Sequence, residues 1–183
     1  MKTRLLYCFI VTLLLLFNVH TVVAQEQDVE GAAISPTPTP IKYELPYPGL
    51  LPDSPLYFLK TARDRIINFL ISDSLKKAEF NLLQADKRLQ AGVSLFKRGK
   101  VELAETTFSK GENYLEQAIE KAKEAQKQGR ETSVFANKLF LATKKHKEVL
   151  RELEEKTTGD IKKRFENLSS RVQNFEKQVD SLR

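Results

Sequence analysis

Apolar residues recur at alternating steps of three and four through most of this chain, the spacing that lines one face of an α-helix. Leu75, Ala78, Leu82, Ala85, Leu89 and Phe96 form one such series, with Gly92 in the missing slot. They predict a helix from about Leu75 to Arg98 that Gly99 ends. Val101, Ala104, Phe108, Gly111, Leu115, Ala118, Ala122 and Ala125 continue the spacing without a break and predict the next helix. Many alternate positions in both series are Ala or Gly, so two backbones can approach closely. A tight antiparallel hairpin turning at Arg98-Gly99-Lys100 is expected. Gly129 to Thr132 breaks the pattern, and Phe135, Leu139, Ala142, His146, Val149 and Leu153 mark a fourth helix. Ile161, Phe165, Leu168, Val172, Phe175, Val179 and Leu182 mark the last. The step from Leu153 to Ile161 is out of phase, so a turn at Thr157 to Asp160 is expected, with Thr157 and Asp160 resembling a capping box; one long kinked helix is the alternative. The regular stripe from 161 to 182 can pack on the fourth helix or act as a coiled-coil seam with a second chain. No segment alternates with the period of two that strands require.

Ahead of these series the pattern changes twice. Leu5 to Phe17 is apolar apart from Thr12, follows Lys2 and Arg4, and gives way to Val22-Val23-Ala24 before Gln25. That order is the layout of a secretory signal peptide covering residues 1–24. Its apolar core of about 13 residues is short for a membrane-crossing helix. An uncleaved anchor from Leu5 to Ala24 is the alternative. All seven prolines lie between Pro36 and Pro55. Residues 25–42 are polar, with alternating proline from Ser35 to Pro40, and read as a disordered, extended linker.

Residues Tyr43 to Pro55 keep the prolines but add Tyr43, Leu45, Tyr47, Leu50 and Leu51. They read as an ordered strap across a bundle, turning at Pro48-Gly49. Gly92 and Gly111 are the expected room for it on the hairpin. Tyr43, Tyr47, Leu50, Leu51 and Tyr57 are the candidate residues of this strap, in a structural or a partner-binding role. Ser54 as cap and Pro55 as first helical residue start the first helix, with Leu56, Leu59, Ile66 and Leu70 on its inner face and Arg63 intruding. The fold class is therefore all-α, an antiparallel bundle of four to five helices. The bundle domain spans 43–183: 43–128 holds the strap and three helices, and 129–183 the last two.

Composition narrows the chemistry. Cys8, the single cysteine, lies in the leader, so the exported chain has no thiol or disulfide chemistry. Loss of Lys2 and Arg4 from the 30 basic residues leaves 28 against 24 acids, a balance of +4. The basic pairs, such as Lys87-Arg88 and Lys97-Arg98, alternate with acids and read as solvated surface rather than a nucleic-acid face. His146 would be the only histidine left. Of the nearby residues, only Glu148 and Glu152 offer it metal-binding company, too sparse a set for zinc or copper, so it reads as a structural histidine. No phosphate loop and no Ser/His/Asp or Cys/His set is present. Asn167-Leu168-Ser169 matches a glycosylation acceptor but falls inside a helix.

The run Pro48-Gly49-Leu50-Leu51-Pro52-Asp53-Ser54-Pro55-Leu56-Tyr57-Phe58-Leu59-Lys60, followed by Arg63 and by Ala85-Asp86-Lys87-Arg88-Leu89, resembles an uncharacterised extracytoplasmic bacterial helical domain family. Its members carry a P-G-x-x-P-D/G-x-P-L-Y-x-L-K strap before a helical hairpin. The resemblance covers about Tyr43 to Glu120 and leaves the last two helices largely outside. It implies a secreted or envelope location and a helical fold, and it supplies no activity. The resulting expectation is a non-catalytic exported module that mediates protein or envelope interactions, with no cofactor and no metal. A metal-handling or enzymatic bundle, or an extracytoplasmic sensor subunit, is the alternative. The expected partners are a protein or an envelope polymer, with no nucleic acid. Membrane contact is expected only through an uncleaved leader, and weak self-association through 161–182.

Overall fold

The computed structural model describes residues 40–183 of the protein; the leader and almost all of the Pro-rich linker lie outside them. Among the described residues there are five helices and no strand: α1 (Tyr57–Leu70), α2 (Ser74–Lys97), α3 (Val101–Lys127), α4 (Ser133–Glu155) and α5 (Gly159–Asp180). Helices α2 and α3 make the most extensive pairing, α4 and α5 the next, and α5 also lies along α3. Helix α1 approaches α2 alone.

Local chemistry sets the breaks. Asp73 caps α2, its carboxylate accepting from the Lys76 amide at 2.9 Å. The α2–α3 turn closes at Gly99, whose φ of 74° lies where only glycine sits without strain, and the Lys100 amide returns to the Leu95 carbonyl at 3.0 Å. Gly129 repeats this device at the end of α3, with the Arg130 amide on the Ala125 carbonyl. Two expected boundaries differ. Helix α1 starts at Tyr57, not Pro55; the Ser54 hydroxyl only reaches back toward the Leu56 amide at 3.4 Å, and no side chain caps the helix. The α4–α5 break is a true turn without a capping box: the Thr157 hydroxyl donates to the Glu154 carbonyl, and Gly159 opens α5 with positive φ.

The core sits where the stripes of α2, α3, α4 and α5 meet. Leu82, Leu89, Leu95, Phe108, Leu115, Leu139, Leu150 and Phe165 are fully enclosed. Phe165 meets Phe108 edge-on at 5.7 Å and Phe96 at 6.2 Å, tying α5 to both arms of the hairpin. The α5 stripe from Phe165 to Leu182 is buried within the chain. The face that could have paired with a second copy is therefore already covered.

The two glycines of the hairpin helices, Gly92 and Gly111, do not leave room for the strap. A Cβ on Gly92 would collide with the Phe108 ring, and one on Gly111 would sit 3.2 Å from Arg88 Cβ and 3.4 Å from the Ala85 carbonyl. Both positions are filled by the facing helix of the hairpin, which explains the small residues on these stripes better than a docked strap does. Gly92→Ala should destabilise the protein by about 1–3 kcal/mol through overpacking, despite a helix-propensity gain of about 1 kcal/mol. Phe108→Leu in the Gly92→Ala background should recover part of that loss. Denaturant melts of the four proteins in the cycle would check the coupling.

Candidate functional site

His146 on α4 is fully enclosed, as is Glu112 on α3, and Asp86 on α2 is nearly so. The His146 ring joins the other two. Its Nδ1 lies 2.9 Å from Glu112 Oε1 and its Nε2 lies 3.1 Å from Asp86 Oδ1. With a carboxylate oxygen beside each ring nitrogen, the geometry favours the form that carries a proton on both, the imidazolium. Burial pushes its pKa down. The Glu112 charge, the hydrogen bonds to Asp86 and Glu112, and the Asp86 charge outweigh that and raise it to about 9. Three helices thus meet at one buried imidazole between two carboxyl groups. The expected neighbours Glu148 and Glu152 are not part of it. Glu148 instead pairs with Lys145 and accepts the Ile41 amide at 3.0 Å.

The inner half of the strap is built onto this cluster. Tyr43 donates its hydroxyl to the second Asp86 oxygen at 2.6 Å. Burial first, then the Asp86 charge and that hydrogen bond, drive the phenol pKa far above its ordinary value, so it remains a donor. Tyr43 and Leu45 pack half-buried against the core. Further on, Lys60 from α1 donates to the Pro48 carbonyl at 2.6 Å and the Leu50 carbonyl at 3.2 Å, clasping the Gly49 turn, where φ is 70°. Asp53 pairs with Lys100 at 2.8 Å and with Arg98, fixing the strap to the α2–α3 turn. Pro48, Gly49, Asp53 and Lys60 of the strap motif are therefore parts of a latch, made by two backbone carbonyls on Lys60 and by the Asp53 carboxylate.

The outer candidates do not bury as a group. Tyr47 is 84% exposed and Leu50 is 45% exposed, while Leu51 and Tyr57 are half-buried. Tyr47 and Leu50 thus depart from a purely structural strap: the chain turns at Gly49 with both side chains outside it.

Helix α1 is inside out. Its only buried residue is Asp64, and Tyr57, Lys60, Thr61 and Asn68 share that inward side. The inward groups meet charge and polarity: Tyr57 and Lys60 feel Arg88 and Asp64, and Arg88 lies 4.1 Å over the Tyr114 ring. Asp64 Oδ2 and Asn68 Oδ1 carry no protein hydrogen bond. The apolar residues Phe58, Leu59, Ile66, Phe69 and Leu70 face solvent, Phe69 at 83% exposure. The expected face of Leu56, Leu59, Ile66 and Leu70 exists, but it points away from the bundle. Around this seam Arg88 and the Tyr114 ring lie near Tyr57, Lys60 and Asp64, while the apolar side faces away.

These arrangements limit the chemistry at His146. Each ring nitrogen is committed to a carboxylate, leaving no lone pair for a ligand. Among the described residues no group of three or more His, Cys, Asp or Glu side chains is placed to hold a metal ion, and no helix is long and apolar enough to cross a membrane. Asp86 was legible as a residue of the Ala85-to-Leu89 motif, but its role was not. Glu112 gave one signal, its place beside Gly111 on the inner stripe.

A group with a raised folded pKa stabilises fully below its unfolded pKa, near 6.5, and that contribution is lost as pH rises through about 9. Urea midpoints should therefore fall between about pH 6.5 and 9. Glu112→Gln removes the charge that raises the pKa most and should move the fall to lower pH. Tyr43→Phe removes a hydrogen bond to a buried anion and should cost about 1.5–3 kcal/mol in denaturant melts.

The family comparison places this architecture. A family model described as Domain of unknown function (DUF5667) matches residues 49–160. The match opens at the Gly49 turn and runs through α4 into the first turn of α5. It thus takes in a helix that the motif resemblance, ending near Glu120, left outside. Neither the curated proteins nor the solved structures give a match to the chain. With well over half of its length covered, the chain belongs to the family of the domain of unknown function DUF5667.

Proposed function

We propose that this protein is a non-catalytic, exported helical module that mediates protein or envelope interactions. One observation carries the reading: α1 holds its polar side against the bundle and offers a continuous apolar ridge to its surroundings. A soluble domain gains nothing by presenting two phenylalanines and several aliphatic side chains on one helix face unless something covers them. The latch at Lys60 and Asp53 and the buried His146 cluster supply a rigid support for that face. The extracytoplasmic location rests on the order of charge, apolar core and small residues from Lys2 to Ala24.

Two measurements test the reading. The exported protein should begin at Gln25 by N-terminal sequencing; intact Met1 would make the leader an anchor. Ile66→Ser with Phe69→Ser alters exposed positions only, so stability should change by less than about 0.5 kcal/mol per site. Retention of the protein in the envelope fraction should nevertheless be lost. Unchanged retention of protein that begins at Gln25 would contradict the interaction role of α1.

A further inference from the structure

The ridge on α1 has a chemical setting that selects its occupant. It is about 21 Å long at 1.5 Å per residue, and it carries Phe58, Leu59, Ile66, Phe69 and Leu70 outward. Its exposed charges are Arg63 and Arg65, both positive; its one acid, Asp64, is turned inward and paired with Arg63 at 2.8 Å. A cleft flanks each side. The larger, of about 620 Å³, lies between α1 and the hairpin and includes Arg65, Arg88 and Lys110 in its walls. The other, of about 430 Å³, lies between α1 and the strap turn and includes Lys60, Arg63 and Lys87, with Tyr47 and Leu50 at its rim. Neither cleft is lined by a carboxylate.

We propose that this face docks on an anionic phospholipid surface, with the α1 ridge lying in the plane of the interface and the two basic clefts over lipid phosphates. The proposal deepens the interaction-module reading and rests on it. An apolar helix face with aromatic and aliphatic side chains, rimmed by arginine and lysine, is the pattern of an interfacial helix. The charge also decides against a second copy of this chain. Two such faces would bring Arg63, Arg65 and both basic clefts against their own kind, with no exposed acid on either helix to answer them. A membrane surface rich in anionic headgroups supplies the missing sign, and each basic residue near it adds to the attraction. Tyr47, exposed beside the second cleft, would sit at the headgroup level, where an amphipathic ring is favoured.

The chain contains no tryptophan, so Phe69→Trp in the full-length protein gives a single indole reporter in place of the most exposed ring of the ridge. Vesicles of phosphatidylcholine with and without phosphatidylglycerol are the probes. On the anionic vesicles the indole emission should shift to the blue and be quenched by brominated acyl chains, whether or not the leader also holds the protein to the vesicle. Arg63→Glu with Arg65→Glu in the same background should weaken that response by roughly tenfold or more, and added salt should weaken it too. A water-like indole on anionic vesicles would overturn the proposal, as would an equal shift on phosphatidylcholine alone. A blue shift without lipid would also overturn it: growth with protein concentration would mean a second copy, and independence of concentration a segment of the same chain. If the indole stays water-like while envelope retention still depends on Ile66 and Phe69, the module reading stands with a protein partner. If retention is independent of them as well, both readings fall.

Discussion

A buried imidazole shared by two carboxyl groups ties three helices of this bundle together. His146 reaches Glu112 on α3 with one nitrogen and Asp86 on α2 with the other, and Asp86 spends its remaining oxygen on Tyr43. Burying such groups is costly, and each ring nitrogen offsets part of that cost through a hydrogen bond to a carboxylate, although Glu112 Oε2 has no protein partner. The contacts join α4 to α3 and to α2 at one level of the bundle. The strap joins them through the Tyr43 hydroxyl on Asp86.

Outward from that cluster the attachment weakens in steps. The hairpin of α2 and α3 is packed through glycine and alanine, with Phe108 occupying the space beside Gly92. Helices α4 and α5 close over it with interlocking aromatic rings. The strap follows, held by carbonyls gathered on Lys60 and by Asp53 on Lys100. Helix α1 comes last, joined to α2 through a polar seam in which Asp64 and Asn68 each keep one oxygen without a protein partner. Burying its apolar side against the hairpin would have stabilised the domain; the sequence instead gives that side to the exterior. The packed core lies in four helices, and the exposed apolar face lies on the helix that packs least against the others.

The stripes of α2 to α5 were legible because their residues follow the helical period and nearly all of them turn inward. Gly99 and Gly129 marked turns for a reason the backbone shares, a positive φ. The partners of His146 were not legible, because periodicity reports neighbours on one helix and the contacts join residues 34 and 60 positions apart. Asp86 directly follows Ala85, and Glu112 directly follows Gly111, so both acids border the inner stripe. Only the meeting of three helices shows that they bury. The α1 face was also visible as a stripe. Its direction was not, since a pattern fixes which residues share a side and leaves open which side meets the core. Arg63 between Leu59 and Ile66 was the one sign that this stripe bordered solvent. The strap divided for a similar reason: Tyr43 has Asp86 to bond, whereas Tyr47 and Leu50 fall beyond the turn that Lys60 clasps.

The charge state of His146 is the most direct test of this account. Nitrogen NMR of the isotopically labelled protein resolves its ring from that of the only other histidine, His20 in the leader. At pH 7 both His146 nitrogens should carry protons held in hydrogen bonds and slow to exchange with water, and the ring should titrate with a midpoint near 9. A neutral ring at pH 7, with one bare nitrogen and a midpoint at or below about 6.5, would contradict the buried imidazolium.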